Sequence, residues 1–267
     1  MRAAAIAAAL VCADAAARAG PYGEGGYAPT LMQAWATEVG EAVRGPIDIA
    51  HPEDGNASFG VPENALGAVT GSNADVVSLG DGGHLTLFFA TGIGNGPGDD
   101  FAVYENGFTA PGGFFGEFAF VEVSSNGSDF ARFPATCLQA TPVSGGGTID
   151  WTDYDNLAGK HPLGQGTGFD LAELTGHPLV MSGQLDLAYV AYVRLIDVIG
   201  DGSTQDRTGA PVYDPYPTPY ASGGFDADAV GVLHLPEPGA VAMLAAGALG
   251  LFVLPRRRRR APCARRV

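Results

Sequence analysis

Apolar and polar residues alternate in short segments along most of the chain, a pattern typical of half-buried β-strands. The clearest segment is 84–91, where Leu85, Leu87 and Phe89 share one face. In the segment 118–125, Ala119, Val121 and Val123 form one face, while Phe118 and Phe120 begin the other. Further strands are predicted at 100–105, 130–133, 187–198 and 227–235, with a tight turn at Ser125-Asn126-Gly127-Ser128.

One segment near the N-terminus has a different period. Leu31, Trp35, Val39 and Val43 recur every four residues, which predicts a short amphipathic helix within 30–44, ended by Gly45-Pro46. The rest of the pattern predicts a mainly β protein, an antiparallel jelly-roll β-sandwich that follows this short helix.

Both ends of the chain have the composition of targeting segments. Residues 1–19 combine Arg2, an apolar stretch and the small-residue pattern Ala17-Arg18-Ala19, which predicts a secretory signal peptide. The alternative is an Ala-rich helix of the mature protein. The folded body is then expected at 20–235, and 236–267 form a separate C-terminal segment.

The C-terminal segment has three parts in a fixed order. Pro236, Glu237 and Pro238 precede an apolar run from Ala240 to Leu254, and a basic cluster follows, formed by Arg256, Arg257, Arg258, Arg259 and Arg260. Five unpaired arginines cannot enter a protein core, so the apolar run is predicted to be a transmembrane helix with its basic end in the cytoplasm.

This tripartite tail resembles the PEP-CTERM sorting signal of Gram-negative bacteria. The resemblance covers about the last 30 residues. It implies an exosortase-type processing enzyme as partner, transient residence in the inner membrane, and export to the cell surface or the extracellular polymer matrix. A C-terminal anchor that is never processed is the alternative.

Two short stretches in the body resemble galactose-binding-like, discoidin-type jelly rolls. They are Val121 to Phe130, a strand that ends in a Ser-rich Asn-Gly turn before an aromatic residue, and Tyr192-Val193-Arg194-Leu195. Three stretches, 95–108, 213–218 and 224–230, also resemble bacterial cell-surface proteins that carry the same sorting tail. These resemblances imply a surface location and a sandwich fold, and they imply no catalytic activity. A generic hairpin and a generic strand are the alternatives.

Charge narrows the range of partners. The chain has 29 acidic and 14 basic residues, but residues 22–235 contain 27 of the acids and five of the bases. Such a surface repels phosphate backbones, so we expect no nucleic-acid partner. Cys137 is the only cysteine of the body, so no disulfide can form within it.

Acidic residues in loops are the candidate metal ligands, because Ca²⁺ takes six to eight hard oxygen ligands and tolerates irregular loops. The sequence predicts a Ca²⁺ cofactor, and solvated acidic turns are the alternative. The candidate ligands are Asp99, Asp100, Glu105, Asp197, Asp201, Asp226 and Asp228, of which the last two are expected on one strand face.

Aromatic residues in Gly- and Pro-rich segments are candidate ligand-binding groups. The rings of Trp151, Tyr154 and Tyr216 could stack on sugars while nearby carboxylates accept hydrogen bonds from sugar hydroxyls. The alternative is that these rings pack loops onto the sandwich.

No nucleophile elbow or dinucleotide-binding motif occurs in the sequence. We therefore predict a calcium-stabilised surface or matrix protein that is not an enzyme and has extracellular polysaccharide as a candidate partner. Two alternatives stay open. One is a carbohydrate-active hydrolase, and the other is a purely structural matrix protein.

Overall fold

The computed structural model describes residues 20–237 and consists mainly of antiparallel β-strands. The predicted signal peptide, the apolar run and the arginine cluster lie outside these residues. The strands are β1 (Ala34–Trp35), β2 (Glu38–Val43), β3 (Val77–Ser78), β4 (His84–Ile93), β5 (Phe101–Glu105), β6 (Phe108–Ala110), β7 (Gly113–Phe115), β8 (Ala119–Ser124), β9 (Ala131–Arg132), β10 (Thr136–Cys137), β11 (Val143–Ser144), β12 (Tyr154–Asp155), β13 (Leu157–Ala158), β14 (Thr167–Phe169), β15 (Val190–Asp197), β16 (Pro215–Tyr216) and β17 (Asp226–Val232).

Two larger sheets organise the described chain. The first sheet has the order β1-β17-β5-β14, with β3 also paired to β17. The second sheet has the order β13-β8-β15-β4-β2, with β9 beside β8. Neighbouring strands within both sheets are antiparallel. Short two-stranded pairs lie outside these sheets. They are the antiparallel pairs β6-β7 and β10-β12 and the parallel pair β11-β16.

Side chains from both sheets form the main hydrophobic cluster. Leu85, Leu87 and Phe89 of β4 meet Phe101 and Val103 of β5 in it, and none of the five is more than 1% exposed. The alternation in the sequence therefore predicted the buried faces of these strands correctly. Burying a side chain of this size stabilises a fold by roughly 1.5–3 kcal/mol.

A second cluster lies on the opposite face of β8. Phe118 and Phe120 belong to it, whereas Ala119, Val121 and Val123 belong to the main cluster. The expected division of this strand between two faces is confirmed. The second cluster packs the segments around β10 and β12 against the sheet, so both faces of β8 are buried.

The helix expected within 30–44 is absent, and this prediction was wrong. The segment forms a 3-10 helix at Pro29–Leu31, followed by β1 and β2. Gly40 and the β-branched valines disfavour a helix, and an irregularity in pairing between Val39 and Glu41 shifts the side-chain pattern. The four-residue spacing therefore arose from two short strands.

The helices of the described residues are short. Besides the first 3-10 helix, four others lie at Pro52–Asp54, Pro62–Ala65, Trp151–Asp153 and Leu171–Leu174, and α1 spans Pro178–Met181. Within residues 20–237, none of these helices has the length and apolar character needed to cross a membrane.

The last described residues pack on the body. Leu233 donates its backbone N–H to the carbonyl of Asp100, and Gly94 donates to the carbonyl of His234. Pro236 is buried and packs against Gly94. A Cβ atom added to Gly94 would lie 2.8 Å from the Cα atom of Pro236. The first residue of the Pro-Glu-Pro motif is therefore part of the folded body.

Candidate functional site

An open cleft of about 590 Å³ lies between the β6-β7 hairpin and the loop that precedes β12. The half-buried indole ring of Trp151 lines it. The remaining lining combines hydroxyl, amide and carboxylate groups with backbone: Thr109, Ala110, Gly112, Gly113, Phe114, Gln139, Thr148, Ile149, Asp150 and Pro162. An apolar ring surrounded by a few polar groups is the composition expected of a small-molecule site.

Backbone hydrogen bonds hold the Trp151 ring in position. Phe114 and Ile149 exchange two of them, with N···O distances of 3.1 and 2.8 Å, and so clamp the hairpin to the loop. Asp150 then caps the 3-10 helix Trp151–Asp153 by accepting from the N–H of Thr152 at 3.0 Å. The tryptophan therefore begins a short, capped element beside a clamped hairpin.

A polar pocket of about 110 Å³ lies behind the tryptophan. The rings of Trp151 and His161 pack with centroids 5.1 Å apart, and His161 lines this pocket together with Lys160. Lys160 is buried, and its Nζ atom donates to the carbonyl of Tyr22 at 3.2 Å and to Glu24 at 3.1 Å. Burial, and then the charge of Lys160, lower the pKa of His161 to about 4, so its imidazole is neutral at neutral pH.

Carboxylates complete the lining of the polar pocket. Five acids border it: Glu24, Asp99, Asp155, Asp170 and Glu173. Burial and then Asp155 and Asp170 raise the pKa of Glu173, although a hydrogen bond from Asn156 at 2.5 Å opposes this. Asn156 has φ 51°, a left-handed backbone that costs a non-glycine residue energy.

The other two predicted ligand-binding rings lie elsewhere. Tyr154 is completely buried, and its hydroxyl donates to the carbonyl of Tyr213 at 2.7 Å, so its ring cannot stack on a ligand. This corrects the expectation for Tyr154 and agrees with the alternative of loop packing. Tyr216 is half-buried, donates its hydroxyl to Asp48 at 2.9 Å, and does not line the cleft.

The predicted metal ligands separate into different surroundings. Asp99 faces Tyr27 and the polar pocket, whereas its neighbour Asp100 accepts from the N–H groups of Gly96 at 2.6 Å and Leu171 at 2.8 Å. His234 lies 3.0 Å from Asp100 through its Nδ1 atom.

Two more of the predicted ligands lie at the end of β15 and just after it. Asp197 is buried and accepts from the N–H groups of Gly82 and Phe225, whereas Asp201 is exposed and accepts from Ser203 at 2.7 Å. The two acids therefore serve as acceptors for different segments.

The pairing of β5 with β17 brings three of the predicted ligands close together. Burial and then Asp226 raise the pKa of Glu105 well above its usual range, and Asp228 adds to the effect. Glu105 accepts from the N–H of Gly107 at 2.6 Å, and Asp226 accepts from Ser78 and Asn106. The pairing shifts register between Ala227 and Ala229, so β17 departs from the simple alternation assumed for its two acids.

The part of the chain that the structure describes contains no group of three or more Asp, Glu, His or Cys side chains arranged to hold a metal ion. The Ca²⁺ site stays a prediction. Each of the acids Asp100, Glu105, Asp197, Asp201 and Asp226 is engaged by a hydrogen-bond donor of the protein. Asp100, Asp197 and Asp226 thereby join distant segments of the chain, whereas Glu105 and Asp201 accept from donors two residues away.

Some chemically prominent residues gave no motif in the sequence. Lys160 and His161 follow β13 directly, and Glu117 interrupts an apolar stretch just before β8. An isolated charge within an apolar stretch is the signal that could have marked Glu117, because such a group is costly to bury.

The stretches 121–130 and 192–195 meet in the second sheet. Tyr192 lies opposite Ser124, and Arg194 lies opposite Glu122. The guanidinium of Arg194 also lies over the ring of Phe130, 3.8 Å from its centroid.

No protein-family model matches the chain, and no curated protein matches it.

Proposed function

We propose that this chain is an exported, surface-sorted protein without catalytic activity, whose jelly-roll β-sandwich binds polysaccharide in the Trp151 cleft. The observation that carries the proposal is the half-buried indole ring among hydroxyl, amide and carboxylate groups. Sugars present apolar faces that stack on such rings and hydroxyls that bond to such polar groups.

The two ends of the chain support the export part of the proposal. The tripartite tail that begins at Pro236 and the N-terminal apolar segment are the sequence features on which it depends. We propose residues 1–19 as the signal peptide, the apolar run 240–254 as a transmembrane helix, and an exosortase-type enzyme as partner. Fractionation of cells with and without residues 236–267 tests the sorting, because loss of the tail is expected to release the protein from the envelope.

Tryptophan fluorescence tests the cleft directly. The chain has two tryptophans, and Trp35 packs against Tyr104 in a different cluster. In a Trp35→Phe variant, Trp151 is the only indole, so oligosaccharide binding is expected to change its emission. Trp151→Ala is expected to weaken binding at least tenfold, equal to about 1.4 kcal/mol. Unchanged oligosaccharide binding by Trp151→Ala would contradict the proposal.

Calcium stabilisation is the second part of the proposal. The support is an excess of negative charge: many carboxylates are buried, whereas residues 22–235 contain only five basic residues that could balance them. Ca²⁺ at about 100 times its Kd is expected to stabilise the fold by about 2.7 kcal/mol, which raises the melting temperature by several degrees relative to an EDTA-treated sample. Identical melting in both conditions would remove calcium from the proposal.

A carbohydrate-active hydrolase is the alternative function. The acids that line the cleft and the polar pocket support it, since paired carboxylates can act as acid and base. Release of reducing sugar that is lost in Asp150→Asn, with the fold retained, would favour the hydrolase over a binding protein.

A further inference from the structure

The far side of the β6-β7 hairpin carries a second pocket, of about 240 Å³. Phe108 of β6 and Phe115 of β7 lie opposite each other and stack with centroids 5.1 Å apart. Phe108 is 55% exposed and Tyr220 is 67% exposed, so two large rings stand open at this pocket. Water-exposed aromatic rings around a concave surface indicate a binding site.

Two buried carboxylates, Glu117 and Asp226, lie in the same pocket. Glu117 is 7% exposed, and its Oε1 atom accepts from the hydroxyl of Thr218 at 2.7 Å and the N–H of Gly224 at 3.2 Å. Its Oε2 atom accepts no hydrogen bond among residues 20–237 and is not one of their fully buried unpartnered atoms, so a ligand in the pocket can reach it. A carboxylate oxygen that has no protein donor and lies in a pocket is free to accept a hydrogen bond from a ligand.

The surroundings of this pocket are negative. Burial, and among nearby charges Asp214, Asp197 and Asp226, raise the pKa of Glu117 well above its usual range. Arg44 is the cation that lowers the pKa of Asp226.

The guanidinium of Arg44 is already occupied. It donates to the carbonyls of Phe59, Gly60 and Ser78 at 2.8, 2.7 and 3.0 Å, and neither Arg nor Lys lines the pocket. The buried acids therefore lack a full counter-charge, and their field attracts cations from solution.

We propose that this pocket binds a small organic cation, an alkylammonium or alkylguanidinium ion, between the carboxylates of Glu117 and Asp226 and the rings of Phe108 and Tyr220. The N–H groups of such an ion supply the donor that Oε2 of Glu117 lacks. The rings attract the cationic head through their π faces and cover its apolar stem. A bare metal ion would gain nothing from the apolar rings, and the described chain does not bring three metal-ligating side chains together.

Calorimetric titration of the full-length protein tests the proposal with n-butylammonium and n-butylguanidinium as probes. EDTA in the buffer removes metal ions, and n-butanol is the neutral probe of the same stem. We expect both cations to bind and n-butanol not to bind. Comparison of the two cations identifies the preferred head group. Affinity is expected to rise with pH through the pKa of Asp226, which burial raises to about 6, while Asp214 and Asp197 oppose the ionisation of Glu117.

Variants assign the binding to this pocket. Glu117→Gln has the shape of the protonated acid and is expected to weaken cation binding at least tenfold. Phe108→Ala is expected to weaken it about fivefold through the lost ring. Glu53→Gln makes the same charge change at an exposed side chain and is expected to leave binding unchanged. Trp151→Ala is expected to reduce oligosaccharide binding and leave cation binding unchanged, which separates this pocket from the cleft.

Three results would overturn the proposal. In the first, n-butanol binds as tightly as the cations. In the second, cation binding is unchanged in Glu117→Gln. In the third, Ca²⁺ displaces n-butylammonium in buffer without EDTA and its own binding also depends on Glu117. Melting curves show whether each variant is folded. If Glu117→Gln does not fold, Phe108→Ala and Asp226→Asn decide the outcome in the same titration.

Discussion

The carboxylate of Asp197, on β15, accepts the backbone N–H of Phe225, beside β17, at 2.6 Å. Its other oxygen accepts the N–H of Gly82 at 2.9 Å, in the turn between β3 and β4. Because β15 belongs to the second sheet and β17 to the first, this single side chain ties the two sheets together.

Removal of that tie is expected to destabilise the fold. Asp197→Ala leaves two backbone donors without an acceptor, at a cost of about 1–3 kcal/mol for each one that stays buried. Urea unfolding measures the change. Asp201→Ala, at an exposed acid four residues later, is the matched control and is expected to cost less than about 1 kcal/mol. Equal losses in the two variants would contradict this role for Asp197.

Asp228 makes stability depend on pH between about 4 and 7. Burial and then Asp75 raise its pKa to about 7. The native state keeps this proton until about pH 7, whereas the unfolded chain releases it near pH 4, so stability falls as the pH rises across that interval. The contribution is on the order of 4 kcal/mol.

Asp228→Asn tests this contribution, because the amide cannot ionise. Free energies of unfolding at pH 5 and pH 7.5 should differ less in the variant than in the original chain. An unchanged difference would assign the pH dependence to other acids, such as Asp226, whose pKa burial raises to about 6.

His161 has the opposite pH dependence. Its pKa falls to about 4 in the folded protein, chiefly through burial, while the unfolded chain binds the proton near pH 6.5. Stability contributed by this group is therefore present above about pH 6.5 and is lost as the pH falls toward 4. In a His161→Gln variant, unfolding measured between pH 7 and pH 4.5 should lose this part of the acid sensitivity. An acid sensitivity equal to that of the original chain would contradict the prediction.

Arg194 is expected to stabilise the outer face of the second sheet. Its Nε and Nη2 atoms donate to Glu122 at 2.9 and 2.5 Å, and its guanidinium covers Phe130. Arg194→Lys keeps the charge but loses the planar contact and one donor, at an expected cost of about 1–2 kcal/mol. Thermal unfolding checks this against Arg207→Lys, an exposed position where a change below about 0.5 kcal/mol is expected. Similar losses in both variants would remove the special role of Arg194.

The strands were predictable wherever alternation fixed a buried face. In β4 the apolar residues Leu85, Leu87 and Phe89 alternate, and in β8 Ala119, Val121 and Val123 do, so their faces could be assigned before any partner strand was known. The N-terminal helix was mispredicted because β1 has only two residues and the six residues of β2 are largely exposed, so no alternating buried face marks them. An irregularity next to Gly40 then produced a helix-like spacing.

The surroundings of the acids could not be predicted from spacing. Asp99 and Asp100 are adjacent, yet one faces a polar pocket and the other joins three segments of the chain. Their donors are backbone N–H groups and side chains distant in sequence, which only the tertiary fold brings near. Trp151 could be selected as an aromatic ring in an irregular segment, whereas the burial of Tyr154 depends on the second cluster.

The burial of Pro236 against Gly94 has a consequence for proteolysis. A peptidase must draw its substrate into an extended strand, and the residues on the N-terminal side of Glu237 are held by backbone bonds to Asp100 and Gly94. Cleavage on that side requires these residues to detach first, so its rate is governed by how often this end of the body frays. The folded body thereby sets how closely an enzyme can trim the tail.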